Sequence, residues 1–386
     1  MGEMLQIIKN LDRGFYREVD ARRRSEGGAT SFGYLAELAA ERGLAPEERE
    51  RQTRERKLLA RFGCGTMEDH RAEKVAAFAR QTWALELAFR EMGIRTRGPE
   101  ADVLGKVFAS SASTVLFPAY VETQVVAGLL LASLVPAIVA QEVLVNSHTA
   151  EHLAMTESEA DRRTSRTGEG APGTVVTLRT AERSVKLEKY AAQLDATYES
   201  LRLQRMNVVG LFLQRLGEQL GMDETDDALE VAIAGDGNSG SAATITNSDV
   251  DDTLDYDDLI KLVLAFPKGY QMRVAITGDT NLRTILNMSE FKDAAIGDNA
   301  FTRLNAVLGP LAAQWHRWTR TTTSFTDDRI LGIDSRLALV QYTEQGVVTE
   351  SDRLIDKQFE RTVVSKWTGF AKLDYNAVQV LDRNWA

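Results

Sequence analysis

The sequence predicts an α+β protein of several structural regions, and three observations predict it. The first hundred or so residues are charged and patterned as helix, a long amphipathic helix lies mid-chain, and the last fifty or so read as short apolar strands. At 386 residues the chain can bury a sizeable core, and 44% hydrophobic with 26% charged residues is a globular, soluble composition. No internal repeat is present. The single cysteine, Cys64, cannot form an internal disulfide, and Met1 to Lys9 lacks the apolar core of a signal peptide, so residence in a cytoplasm is expected. Lys+Arg 46 against Asp+Glu 56 leaves a net charge of −10, the opposite of the balance that grips nucleic acid by counterion release.

The elements follow in order. Pro46 with Glu47 and Glu48 suits the first turn of a helix whose run EERERQTRERK mixes signs as a solvated face does, and which stops near Gly63-Cys64-Gly65. A second helix starts after Thr66 with Asp69 in the capping-box position. Its Val75, Phe78, Thr82, Leu85, Phe89 and Met92 form a short heptad seam suited to packing on a neighbouring element. A boundary falls at Gly98-Pro99. The apolar run Val125 to Ala140 is shorter than the roughly 20 residues of a bilayer helix and contains Pro136, so it reads as a buried element and not as a membrane span.

Ser147 to Lys189 reads as a long hairpin with turn residues Gly168, Gly170, Pro172 and Gly173 between two extended halves. It offers little apolar surface, and a lone two-stranded hairpin is marginal in water, so a contact from outside the subunit is expected to hold it. A helix from Thr197 to Leu220 then carries Val209, Phe212, Leu213, Leu216 and Leu220 on one stripe and stops at Gly221. A strand Leu229 to Ala234 and a glycine-rich turn follow. The next helix opens at Asp255 with Asp258 in the capping-box position and breaks at Pro267. Strand Met272 to Thr277 leads to Asp279, an N-cap for Leu282 to Leu286. Strands Leu337 to Tyr342, Val347 to Glu350, Thr362 to Lys366 and Asn376 to Leu381 close the chain.

Several residue groups could carry chemistry. His148-Thr149-Ala150-Glu151-His152 matches the H-x-x-E-H of inverted zinc peptidases, in which two histidines one helical turn apart bind zinc beside a general base, and on that reading the chain would be a zinc-dependent hydrolase. The match lies at the start of an extended segment without a third ligand and reads as solvated loop residues. Asp249, Asp251, Asp252, Asp255, Asp257 and Asp258 lack the spaced pattern of an EF-hand and suit a helix start and a polar turn. Gly235 to Gly240 has no following Lys-Ser or Lys-Thr and is no phosphate loop, and a dinucleotide fingerprint also fails on spacing. Cys64 and His70 have no oriented third group, which leaves an inert thiol. Trp315, His316, Arg317, Trp318 and Arg320 form an aromatic and basic cluster that could stack on a base, but the acidic chain favours packing or a subunit contact. No catalytic residue, cofactor site or metal site is assigned.

The order of parts resembles the major capsid proteins of tailed bacteriophages, which share the Hong Kong 97-like fold. The resemblance covers roughly Thr114 to Leu381. It is carried by LFPAYVETQVV (Leu116 to Val126), VKLEKYAAQLDATYESLR (Val185 to Arg202), VAIAGDGNSG (Val231 to Gly240) and LDYDDLIKLVLAFP (Leu254 to Pro267). ILGIDSRLAL (Ile330 to Leu339) and the segment Gly346 to Leu381 complete it. No one of these is specific alone; their order and spacing are.

The resemblance implies a helical N-terminal region or arm over 1–113, scaffold-like or retained, and a peripheral (P) domain lead-in over 114–146. It implies an extended loop (E-loop) over 147–190 and a spine helix over 191–222. A mainly axial (A) domain over 223–345 and returning P- and A-domain strands over 346–386 complete the division. It further implies a non-enzymatic subunit of an icosahedral head enclosing double-stranded DNA without specific binding, or, alternatively, an encapsulin-type compartment around protein cargo. The E-loop tip, Arg166, Thr167, Gly168, Glu169, Gly170, Ala171, Pro172, Gly173 and Thr174, would contact a neighbouring copy. Expected partners are the chain itself in hexamers and pentamers, with portal and scaffold or decoration proteins and no membrane. The expected location is the virion capsid, assembled in the host bacterial cytoplasm. Some relatives cross-link through a lysine and an asparagine, and Lys186, Lys189 and Asn376 are the right types in similar regions.

Overall fold

The structure is a computed structural model that describes positions within 78–109, most of 116–155, 180–237, 242–288, 313–354 and 359–385, and positions 166 and 169. The helix expected from Pro46, the start of the one after Thr66, and Cys64 and His70 lie outside the described residues. The chain divides into two compact units. The first takes the described residues up to Pro136 with Lys189–Asp223 and Gln345–Trp367, and the second takes Ala137–Glu188, Glu224–Glu344 and the residues from Thr368.

In the first unit the described part of the heptad seam packs as its pattern predicts, and Val75 lies outside the described residues. Phe78, Thr82, Leu85 and Phe89 are buried, and Met92 is half-buried against the same core. That helix ends where Gly93 takes a positive φ of 69° and the Ile94 N–H reaches back to the Phe89 carbonyl at 2.9 Å, a left-handed stop that suits glycine. Helix α1, Phe117–Ala132, opens on Pro118 and buries residues around its whole circumference, from Phe117, Tyr120 and Val121 to Val125 and Leu130. The apolar run noted in the sequence is thus the end of α1, the short helix α2 (Val135–Ile138) and the start of strand β1 (Val139–Leu144). No helix among the described residues is long and apolar enough to cross a membrane.

Helix α3 corrects the sequence reading twice. It runs over Met206–Ala234, 29 residues, whereas Thr197 ends a strand and Leu229 to Ala234 form no strand. Gly221 does not stop it, since Gly221 is not among the glycines with positive φ; Gly235, at φ 95°, is. Gly217 and Gly221 are there for close approach. A Cβ on Gly217 would overlap the Val125 carbonyl oxygen of α1, and one on Gly128 would overlap the Gln214 carbonyl oxygen of α3. The two backbones therefore meet with nothing between them, and Tyr120 Oη donates to the Met206 carbonyl at 2.7 Å beside this contact. The segment taken for a strand buries Leu229, Ala232 and Ile233, and Ala228 just before it is buried too, a helical spacing.

In the second unit a five-stranded sheet is ordered β5-β11-β8-β6-β7, with β5 Thr244–Asn247, β6 Val274–Thr277, β7 Gln314–Arg317, β8 Arg329–Ile333 and β11 Val378–Asp382. Strand β11 pairs parallel with β5 and antiparallel with β8, and all five of its residues are buried. Helix α4, Tyr256–Leu264, has the predicted capping box between Asp255 and Asp258 and packs on β11. Because Asp258 Oδ2 accepts the Asp255 N–H at 3.0 Å and Oδ1 the Asp249 N–H at 3.0 Å, Asp258→Ala is expected to cost about 1–2 kcal/mol, read as a lower urea midpoint at unchanged slope. Helix α5 is Asp279–Asn287, and Gly278 holds its cap position in place of Asp279. The cap comes from elsewhere in the chain: Asp327 Oδ2 accepts the Thr280 N–H at 3.2 Å.

A four-stranded sheet is ordered β1-β9-β10-β4, with β4 Glu188–Thr197, β9 Leu339–Leu354 and β10 Phe359–Lys372. Strand β1 pairs parallel with β9. The two strands expected at 337–342 and 347–350 are one strand of 16 residues, because the chain stays extended through Gly346.

Candidate functional site at the hairpin base

The long hairpin is present as strands β2 (Thr149–Met155) and β3 (Thr180–Lys186), antiparallel from Thr149↔Lys186 to Met155↔Thr180. Of the nine tip residues, Arg166 and Glu169 are described and exposed. Thr167, Gly168, Gly170, Ala171, Pro172, Gly173 and Thr174 lie outside the described residues.

The base is anchored by its own unit, which corrects the expectation that only an outside contact could hold the hairpin. Ala150, Val185 and Leu187 are buried in one cluster with Val340 and Tyr342 of β9 and Ala371 of β10. Gly369 admits the chain closely, since a Cβ there would stand 3.0 Å from the Lys186 carbonyl oxygen. A few small apolar residues suffice because β9 and β10 present a matching surface that the hairpin sequence does not reveal.

His152 is the second correction. It is only 1% exposed, not a solvated loop residue. Along β2 Thr149 and Glu151 face solvent while Ala150 and His152 face inward, the period of a half-buried strand. His152 Nε2 donates to the Lys372 carbonyl at 2.9 Å, and Nδ1 stands 2.8 Å from the Tyr342 hydroxyl, which donates to it when the imidazole is neutral. Burial pushes the His152 imidazole below its usual range against the opposing pull of the Lys372 carbonyl and of Asp236. Burial likewise raises the Tyr342 phenol. Lys372, 2% exposed, is pushed down to about 8 by burial, with Asp236 and Asp374 opposing. Among the described residues its Nζ has no hydrogen-bond partner. Asp236, in the turn after α3, faces Arg183 of β3 at 3.9 Å and the Lys372 N–H at 3.4 Å.

The zinc arrangement fails on geometry. His148 stands in a bend before β2 and His152 within that strand, so the two are not set one helical turn apart on a helix. His148 Nδ1 instead meets Glu344 at 2.8 Å. The aspartate group is occupied by the fold: Asp249 pairs with Lys261, Asp252 with Arg383 at 2.8 Å, and Asp251 accepts the Trp385 N–H at 3.0 Å. The aromatic and basic cluster is occupied too. Trp318 is buried with Nε1 donating to Asp226 at 2.8 Å, Arg320 pairs with the same carboxylate at 2.9 Å, and Arg317 holds Asp279 at 2.7 Å. Glu230, unmentioned in the sequence reading, accepts from Thr322 Oγ1 at 2.8 Å and the Ser324 N–H at 3.0 Å. Burial raises its carboxyl, but these hydrogen bonds outweigh it and hold the group below the usual range.

Lys186 is exposed, Lys189 stands over the Trp367 ring at 5.5 Å, and Asn376 sits in a 3-10 turn capped by Asp374. The described part of Gly235 to Gly240 is a tight turn with Gly235 and Gly237 at positive φ.

Residues 180–381 match the model of a family described as phage capsid protein. No curated protein matches the chain. Among solved structures, the capsid of an empty GTA particle is similar at 15% identity and a TM-score of 0.47, over 66% of this chain and 90% of that one. A virus-like particle from Pyrococcus furiosus is similar at 11% identity and a TM-score of 0.48, over 68% and 98%. A Mycobacterium phage Cain structure is similar at 11% identity and a TM-score of 0.46, over 66% and 91%.

Proposed function

This chain belongs to the phage capsid protein family as a major capsid protein that forms a phage head shell, and on that premise we propose how its parts divide the work. The observation that carries the reading is the match over 180–381, which takes in strand β3, helix α3, every strand from β4 to β10 and β11 up to Leu381. The shell is an icosahedral head of Hong Kong 97-like organisation, built from hexamers and pentamers of the chain. Its contacts are heterologous, and their closure gives the particle its stability. Each subunit makes several modest contacts at once, so the shell holds although no single contact is strong.

The hairpin tip, Arg166 to Thr174, reaches a neighbouring copy. Support comes from the contrast between an anchored base and exposed Arg166 and Glu169. The role is structural and not enzymatic. The acidic chain encloses double-stranded DNA without gripping it, in keeping with its net charge of −10. Portal and scaffold or decoration proteins complete the head, which assembles in the host bacterial cytoplasm.

Negative-stain electron microscopy of the full chain expressed alone, with light scattering on the same sample, tests the reading. Uniform closed shells are expected. Particles that carry a protein cargo and no DNA when isolated from their natural source would replace the head with a compartment, and a chain that never assembles, alone or with its gene neighbours, would overturn the shell itself.

A further inference from the structure

The buried polar group at the hairpin base does more than pack. We propose that neutral His152 is an acid-operated latch, so that a proton taken up on its ring releases β2 and β3 from the strands that hold them.

The geometry sets the direction. With Nε2–H committed to the Lys372 carbonyl, Nδ1 is the atom that accepts the Tyr342 hydroxyl. A proton on Nδ1 would face that hydroxyl, which must then turn its own hydrogen away and accept instead of donate. The new charge would also be buried. The charged and titratable groups around it are Arg183 from β3, Tyr342 from β9, Lys372 with Asp374 beyond it from β10, and Asp236 from the turn after α3. Glu344 of β9 is engaged by His148. Arg183 already faces the Asp236 carboxylate at 3.9 Å and the buried Lys372 ammonium feels the same carboxylate without hydrogen-bonding to it, so a charge on His152 would be a third cation around one anion. An open hairpin base lets the ring hydrate its charge, and the proton therefore binds the open form in preference.

The sign follows from linkage. A histidine whose folded affinity for protons is depressed contributes its stability above the free value of about 6.5 and loses it as pH falls towards the folded value. Within that window the opening equilibrium shifts by up to about tenfold per pH unit. Lys372 acts in a separate window, between about 8 and its ordinary 10.5, and does not contribute to the acid response. The latch belongs to the subunit, so it stands apart from how copies meet in a shell.

Hydrogen exchange by mass spectrometry on the full chain tests it between about pH 7.5 and about pH 5, with rates normalised to those of unstructured peptides. In the wild type, protection of 149–155 and 180–186 should fall by up to about tenfold per pH unit while β6 and β8 keep theirs. His152→Gln, which keeps a donor and an acceptor, should flatten this dependence. Equal pH profiles for wild type and variant would overturn the latch. Should the variant not fold, the His152 ring resonance of the wild-type protein decides: loss of protection without concurrent titration of that ring overturns it, and coincidence of the two supports it.

Discussion

Gly217→Ala should lower the unfolding free energy by about 3 kcal/mol or more. In an ordinary helix interior the change would favour folding by about 1 kcal/mol, because alanine has the better propensity. Here the methyl meets the Val125 carbonyl oxygen, a backbone atom of α1 that cannot swing aside as a side chain can. Overpacking a core costs about 1–3 kcal/mol when side chains can adjust, and the cost rises when they cannot. Gly128→Ala meets the reciprocal obstacle at the Gln214 carbonyl oxygen. Gly346→Ala is the control, since no described atom lies within 4 Å of a Cβ there. Urea unfolding followed by circular dichroism separates the cases. A Gly217→Ala protein as stable as the Gly346→Ala protein would show that α1 and α3 do not meet backbone to backbone.

Deleting Arg166 to Thr174 should leave a subunit with an unchanged urea midpoint that forms no stable shells. The ladder from Thr149↔Lys186 to Met155↔Thr180 lies outside the deletion, and its buried side chains Ala150, His152, Val185 and Leu187 bring their partners from β9 and β10. Folding therefore keeps all that holds the base. On the proposed contact, assembly loses the reach of the hairpin tip towards another copy. Light scattering and electron microscopy on the deleted protein check both halves of the expectation. Normal particles would remove the tip from the list of contacts, and an unfolded subunit would show that the tip is part of the fold.

Much of this fold was legible in residue patterns, where the determinant is local. The Asp255 and Asp258 capping box, the heptad seam through Phe78, Leu85 and Phe89, and the antiparallel hairpin are set by residues a few positions apart or by alternation. The family was legible in the order of segments from Thr114 to Leu381, which contains the matched 180–381. What escaped depends on partners distant in sequence. Gly221 and Gly235 look alike as helix stops, and only the approach of α1 distinguishes a glycine kept for close packing from one kept for its φ. Leu229 to Ala234 is short and apolar, and such a run does not separate helix from strand by itself. His152 looked solvated because the residues that bury it, Tyr342 and Lys372, are about two hundred positions away. The alternation Thr149, Ala150, Glu151, His152 was the available signal, and the zinc-like pattern drew attention from it.

The place of β11 has a consequence for synthesis. The sheet order β5-β11-β8-β6-β7 sets the last of its strands to leave the ribosome between the first and the fourth. Until Val378–Asp382 emerges, β5 has no neighbour and β8 has one open edge. Folding of this sheet is thus a late event dominated by contacts between distant positions, and slow by comparison with local helix formation. A chain whose translation stops early cannot complete the sheet, and its exposed strand edges would direct it to chaperones and proteases before it could poison a growing shell with a defective copy.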